Sequence, residues 1–110
     1  MAIIFNITAT AKVHIKLAIK WQAQISSVEK ANRKIKAAIV DFKNQLSTFP
    51  ESGHQCPYLD IEHYREVIID QYRFIYRIDI ESDITKITLV TFCSTKMHYQ
   101  TILRHVPELN

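Results

Sequence analysis

Residues 63–79 read HYREVIIDQYRFIYRID, and this stretch decides the fold. Two runs rich in Val, Ile, Tyr and Phe, residues 64–69 and residues 72–79, flank the dipeptide Asp70-Gln71. Such runs are typical of β-strands, and a two-residue joint between them is typical of a hairpin. The sequence therefore predicts an antiparallel hairpin at the centre of a sheet.

Alternation along the second run assigns its side chains to two faces. One face carries Tyr72, Phe74, Tyr76 and Ile78, and the other carries Arg73, Ile75, Arg77 and Asp79. We expect the aromatic face to pack on helices and Arg73 and Arg77 to look outward. Arg65, Arg73 and Arg77 each follow a tyrosine, and a guanidinium fork suits carboxylate or phosphate groups. Arginines on an exposed sheet face are also often only solubilising.

The first half of the chain is helical in pattern. Residues 3–7 form a short apolar run of strand length, and Thr8 or Thr10 can cap a helix that begins near Ala11. After the break at Ser26-Ser27, apolar residues recur at three- and four-residue spacing until Pro50 and Gly53 end the pattern. The stripes expected to be buried are, for the first helix, Ala11, Ile15, Ala18, Gln22 and Ile25, widened by Leu17, Ile19 and Trp21, and for the second, Val28, Ala31, Ile35, Ala38, Phe42, Leu46 and Phe49.

A third β-type run covers residues 85–93 and follows the short joint of residues 81–83. The remaining STKMHYQTILRHVPELN is expected to form a closing helix or an irregular tail. The element order is therefore β-α-α-β-β-β. This order predicts a single α+β domain over residues 1–110, with a helical hairpin packed on a mostly antiparallel sheet.

The net charge of +3 is unevenly distributed. Residues 1–48 carry eight Lys and Arg against two acids, whereas residues 49–110 carry six against nine. Lys12, Lys16 and Lys20 form a row at i,i+4 spacing on the first helix. A protein that contacts nucleic acid widely is usually basic across its working face. The basic helical half fits an acidic protein partner, and it also fits ordinary solvated helix faces.

Several classes of protein are disfavoured by the sequence. No apolar run is long enough to cross a bilayer, and no basic residue precedes the first apolar stretch as in a secretory signal. Two cysteines are too few for a zinc site of their own, so we expect free thiols, a cytoplasmic location and no membrane partner.

Three further groups of residues are candidate sites outside the arginines. His54, Cys56 and His63 do not have the spacing of a known zinc site, so neither a metal nor another cofactor is expected. Cys93 with His98 lacks a third, orienting group, so a buried thiol is the expectation there. Trp21 and Phe42 lie at core spacing, although Trp21 is also placed to lie under a partner segment.

Three segments together resemble the RelE/ParE superfamily of toxins from bacterial type II toxin–antitoxin (plasmid stabilisation) modules. They are FPESG at residues 49–53, HYREVIIDQYRFIYRID at residues 63–79 and ITLVTFCSTKMHYQTIL at residues 87–103, in the order β-α-α-β-β-β. The resemblance covers nearly the whole chain. It implies a cognate antitoxin that covers the toxin surface, and one of two modes of action.

The first mode is that of RelE-like toxins, which are ribosome-dependent endoribonucleases that cut mRNA. On this alternative, the resemblance assigns catalytic roles to Arg65, Arg73 and Lys96, with His98 and Tyr99 nearby. The chain departs from the pattern at two places. Val67 or Ile68 replaces a second basic residue, and Cys93 or Ser94 stands where some members have histidine, the usual proton-transfer residue at neutral pH.

The second mode is that of ParE-like toxins, which poison DNA gyrase and are not known as nucleases. We expect this mode, with antitoxin contacts at Lys12, Lys16, Lys20, Arg73 and Arg77. An antitoxin-binding relic that no longer harms the cell is a further alternative. No residue of the sequence distinguishes such a relic from an active toxin.

Overall fold

The computed structural model describes residues 2–55 and 63–96. Within them it contains two helices and five strands. These are β1 (Ala2–Ile7), α1 (Ala9–Ile25), α2 (Val28–Thr48), β2 (His54–Gln55), β3 (Tyr64–Ile69), β4 (Tyr72–Glu81) and β5 (Ile84–Ser94). No helix in this part of the chain is long and apolar enough to cross a membrane.

The strands form one sheet in the order β1-β5-β4-β3-β2. The predicted α+β class, with two helices on a sheet, is confirmed. Among the described strands the sheet is mostly antiparallel, as expected, and only β1 and β5 pair in parallel. One detail differs from the expectation, because an additional two-residue strand, β2, lies on the far edge.

Both helices begin at a side-chain cap. The hydroxyl of Thr8 accepts a hydrogen bond from the Ala11 amide at 3.0 Å, so Thr8 rather than Thr10 is the cap of α1. The hydroxyl of Ser27 does the same for the Lys30 amide at 3.1 Å. In the β3–β4 hairpin, Asp70 and Gln71 both have positive φ, of 50° and 69°. This pair of left-handed residues gives the twist that favours a two-residue hairpin.

Phe42 of α2 lies at the centre of the core. Its ring stacks on Phe74 of β4 with centroids 4.5 Å apart, and its neighbours Tyr76 and Phe5 meet it edge-on at 5.7 Å and 6.4 Å. The predicted burial of Phe42 against the aromatic face of β4 is confirmed. Trp21, also expected in the core, is only half-buried.

Three of the four predicted stripe ends are wrong, because Ile25 of α1 and both Val28 and Phe49 of α2 are exposed, whereas Ala11 is buried as predicted. Leu17, expected to widen the stripe of α1, is also exposed. At 21 residues α2 is about 32 Å long, and its buried residues run only from Ala31 to Leu46. Leu17 is exposed because it lies about 100° around the helix from its buried neighbour Ala18.

Candidate functional site

Arg73 forms an ion pair inside the sheet. The β3–β4 register pairs Glu66 with Ile75 and Ile68 with Arg73, which places Glu66 and Arg73 diagonally on the same face. Arg73 Nη1 lies 2.7 Å from Glu66 Oε1, and the side chains of Arg73 and Glu66 are 21% and 2% exposed. Arg73 therefore lies on the predicted face, away from the aromatic side chains of β4, but its side chain is mostly covered rather than open to solvent. Its charge is matched by a carboxylate within the fold.

Arg65 lies on the opposite face of the sheet from Arg73. It pairs with Tyr76, whose side chain belongs to the core between sheet and helices. Its Nη1 donates to the carbonyl oxygen of Gly53 at 2.6 Å and to that of Glu51 at 3.3 Å. Arg65 therefore holds the turn after α2, and it does not share a surface with Arg73.

Tyr76 also bonds the turn after α2, through its side-chain hydroxyl. Its buried hydroxyl donates to the carbonyl oxygen of Pro50 at 3.1 Å and accepts from the Gly53 amide at 3.1 Å. Burial raises the pKa of Tyr76, so the hydroxyl keeps the proton that it donates. A Cβ at Gly53 would lie 2.6 Å from the Tyr76 hydroxyl and 2.8 Å from the Glu66 carbonyl oxygen, so only glycine fits. These contacts explain the PESG sequence as a structural turn.

Arg77 is the outward-facing arginine that the sequence predicted. Its side chain is half exposed, and its Nε lies 3.0 Å from Asp79 Oδ2. The hydrogen bond to Asp79 raises the pKa of Arg77. Arg77 is thus available to a partner, with a carboxylate beside it.

The nuclease candidates do not form one cluster in the described chain. Lys96 is exposed just after β5, and its amide bonds the Ser94 hydroxyl at 3.2 Å. His98 and Tyr99 lie outside the described residues. RNA cleavage needs a base, an acid and cations around one phosphate. Arg65 and Arg73 lie on opposite faces of the sheet and cannot contact the same phosphate.

Cys93 is a buried thiol, as expected. Burial raises its pKa to about 11, and Arg73 opposes this only in part. At neutral pH the thiol is protonated and therefore a poor nucleophile. Of the three candidate metal ligands, Cys56 lies outside the described residues. His54 and His63 are exposed, and no group of three ligand side chains forms among the residues that the structure describes.

The basic row on α1 is a solvent-exposed surface. Lys12, Lys16 and Lys20 are all exposed, and α1 contains no acidic residue. Val13 and Leu17 are exposed beside them. Sequence reasoning assigned Leu17 to the core, so it missed that this surface is apolar as well as basic.

A protein-family model matches most of the chain. Residues 5–97 match the family described as the ParE toxin of the type II toxin–antitoxin system parDE. The chain is a member of the ParE toxin family. This membership confirms the resemblance to RelE/ParE toxins that its segments suggested. No curated protein sequence matches this ParE-family chain.

Solved structures share the ParE-family fold. A chain from the chromosomal ParDE toxin–antitoxin system of P. aeruginosa has a TM-score of 0.60 at 14% identity, covering 84% of this chain and 95% of its own. The YoeB/ParE toxin from Agrobacterium tumefaciens has a TM-score of 0.56 at 15% identity, covering 90% of this chain and 100% of its own. At these identities the likeness concerns the fold alone.

Proposed function

We propose that this ParE-family chain is a toxin that inhibits DNA gyrase in the cytoplasm by binding it, without cutting RNA. The observation that carries this is the separation of Arg65 from Arg73 by the sheet. Arg65 is bonded to the carbonyl oxygens of a turn, and Arg73 is paired with buried Glu66. A surface on which the matched arginines are occupied or apart suits protein binding better than phosphoryl chemistry.

Induction of the chain without an antitoxin tests the proposal in cells. We expect growth arrest with DNA breaks and filamentous cells, and intact transcripts by primer extension. Codon-phased cuts in ribosome-bound mRNA would instead indicate the RelE-like mode. Normal growth at a high level of folded chain would indicate the relic. Either result would refute gyrase inhibition.

The neutralising partner is an antitoxin segment that binds the basic row of α1. This segment carries carboxylates that pair with the exposed Lys12, Lys16 and Lys20. It also carries apolar side chains that pack on the exposed Val13 and Leu17. A segment of this composition is disordered alone and folds on binding. Arg77 and, through its partly exposed edge, Arg73 extend the proposed contact surface onto the sheet.

Charge reversal on α1 tests this surface. Replacing the row with glutamate at Lys12, Lys16 and Lys20 should weaken the antitoxin complex at least tenfold. A matched control replaces three exposed lysines of α2, Lys30, Lys36 and Lys43, with glutamate and should leave affinity within about threefold. Equal weakening by both variants would show a general charge effect and refute a specific site on α1.

A further inference from the structure

The two edges of the sheet differ in protection. The far edge, β2, has only two residues, which is a common way to avoid edge pairing. The other edge, β1, has six residues, AIIFNI, and residues 2–11 contain no charged side chain and no proline. Charges, prolines and bulges are the usual devices that block an exposed edge, and β1 has none of the first two.

The hydrogen bonds of β1 show which groups point outward. The Ala2 amide donates to the Asp83 carbonyl oxygen at 3.0 Å, and the Thr8 amide donates to the Leu89 carbonyl oxygen at 3.1 Å. In a parallel pair, alternate residues bond the neighbouring strand, so the even-numbered residues of β1 bond β5. The odd-numbered residues Ile3, Phe5 and Ile7 therefore direct their N–H and C=O groups away from β5. Within residues 2–55 and 63–96 no strand pairs with this outer edge.

We propose that β1 is a dimerisation edge, on which a second copy of this chain adds its own β1 in antiparallel orientation. A two-fold axis perpendicular to the sheet brings the two strands together antiparallel and makes the interface self-complementary. The outward groups require odd-numbered residues to lie opposite each other, and the register centred on Phe5 is the one that pairs all three of them. Ile3 pairs with Ile7 of the second copy, and Phe5 pairs with Phe5 of the second copy, each pair exchanging both N–H···O bonds.

The side chains of β1 suit a second copy. Ile4 is 44% exposed on the sheet face that carries Arg73. In this register it lies opposite Asn6 of the second copy and diagonal to Ile4 of the second copy, within contact distance for long side chains. The strands meet without like-charge repulsion because residues 2–11 are uncharged. The nearest exposed lysine, Lys86, lies on β5 opposite Ile4, one strand inward from this edge. A strand edge buries little area, so the dimer is weak and depends on concentration.

Sedimentation velocity over a concentration series tests the proposal with a matched pair of variants. Ile4→Lys places two ammonium groups near the two-fold axis and should weaken dimerisation about tenfold or more. Ile68→Lys, on the same face of the sheet at 47% exposure but on β3, should dimerise as the unmodified chain does. Equal dissociation by both variants, or a monomer at every concentration, overturns the proposal.

Amide hydrogen exchange gives a second readout that does not depend on a variant. In the dimer, the amides of Ile3, Phe5 and Ile7 should exchange at least tenfold more slowly than at dilution. The amides of Ile4 and Asn6, which bond β5, should be protected at both concentrations. A dimer in which the three outward amides exchange as fast as in the monomer overturns the proposal. So does protection of these amides only when an antitoxin is added.

Discussion

The guanidinium of Arg73 and the carboxylate of Glu66 meet at 2.7 Å across two neighbouring strands, and the Glu66 side chain is almost fully buried. Arg73 matches a nuclease arginine by resemblance, but in this structure its guanidinium makes a mostly buried ion pair within the sheet. A buried ion pair contributes little net stability, but losing one partner is costly because a buried charge is left behind.

Arg73→Ala should therefore lower the free energy of unfolding by about 3–5 kcal/mol. Arg77→Ala is the matched control, because Arg77 also pairs with a carboxylate but on the exposed surface. Its loss should stay below about 1 kcal/mol. Urea unfolding of both variants measures the difference. Similar small losses would show that the Glu66 pair is not a buried interaction in solution.

Phe42→Ala should lower the free energy of unfolding by about 3–5 kcal/mol, since it empties the centre of the aromatic core. Phe49→Ala removes the same ring from a position that is 65% exposed and should cost less than about 1 kcal/mol. Thermal or urea unfolding compares the two. A loss below about 1 kcal/mol for Phe42→Ala would contradict the packing of α2 on β4.

Tyr76→Phe should loosen the turn of residues 50–53, because it removes the hydroxyl that bridges Pro50 and Gly53. We expect a loss of about 1–3 kcal/mol and faster exchange of the Gly53 amide. The Ala31 amide, which bonds the Ser27 carbonyl oxygen at 2.9 Å far from this turn, is the internal control and should not change. Unchanged exchange at Gly53 would mean that Arg65 alone holds the turn.

Cys93 predicts a pH dependence of stability. Burial raises its pKa from 9.0 to about 11, so the folded chain keeps a proton that the unfolded chain loses above about pH 9. Stability from this group is complete below pH 9 and is lost as the pH rises toward 11. The unmodified chain should lose on the order of 2 kcal/mol more than Cys93→Ala over this range. Parallel pH profiles would contradict the buried thiol.

Much of the fold follows from local patterns. Residue type offers Thr8 as one of two caps for the first helix, and residue type and period predict the strands of residues 64–69 and 72–79. The structure has a cap and strands there. The ends of the apolar stripes failed because helical spacing does not show how far the sheet extends beneath a helix. Val28 and Phe49 continue the period of α2 but lie at its ends.

The structural role of Arg73 can be assigned only when the pairing register of β3 and β4 is known. With a two-residue turn at Asp70-Gln71, Glu66 and Arg73 fall on one face, so their pairing was within reach of the sequence once the hairpin was aligned residue by residue. The role of Arg65 was not. Its partners are carbonyl oxygens of a turn, and backbone acceptors leave no mark in the sequence.

The central claim is that this ParE-family chain acts on DNA gyrase as a binding toxin. The most direct test is gyrase-catalysed supercoiling of relaxed plasmid DNA in the presence of the purified chain. We predict that supercoiling stops, that cleaved plasmid accumulates, and that the cognate antitoxin restores the reaction. Undiminished supercoiling at a large molar excess of folded chain would contradict the claim.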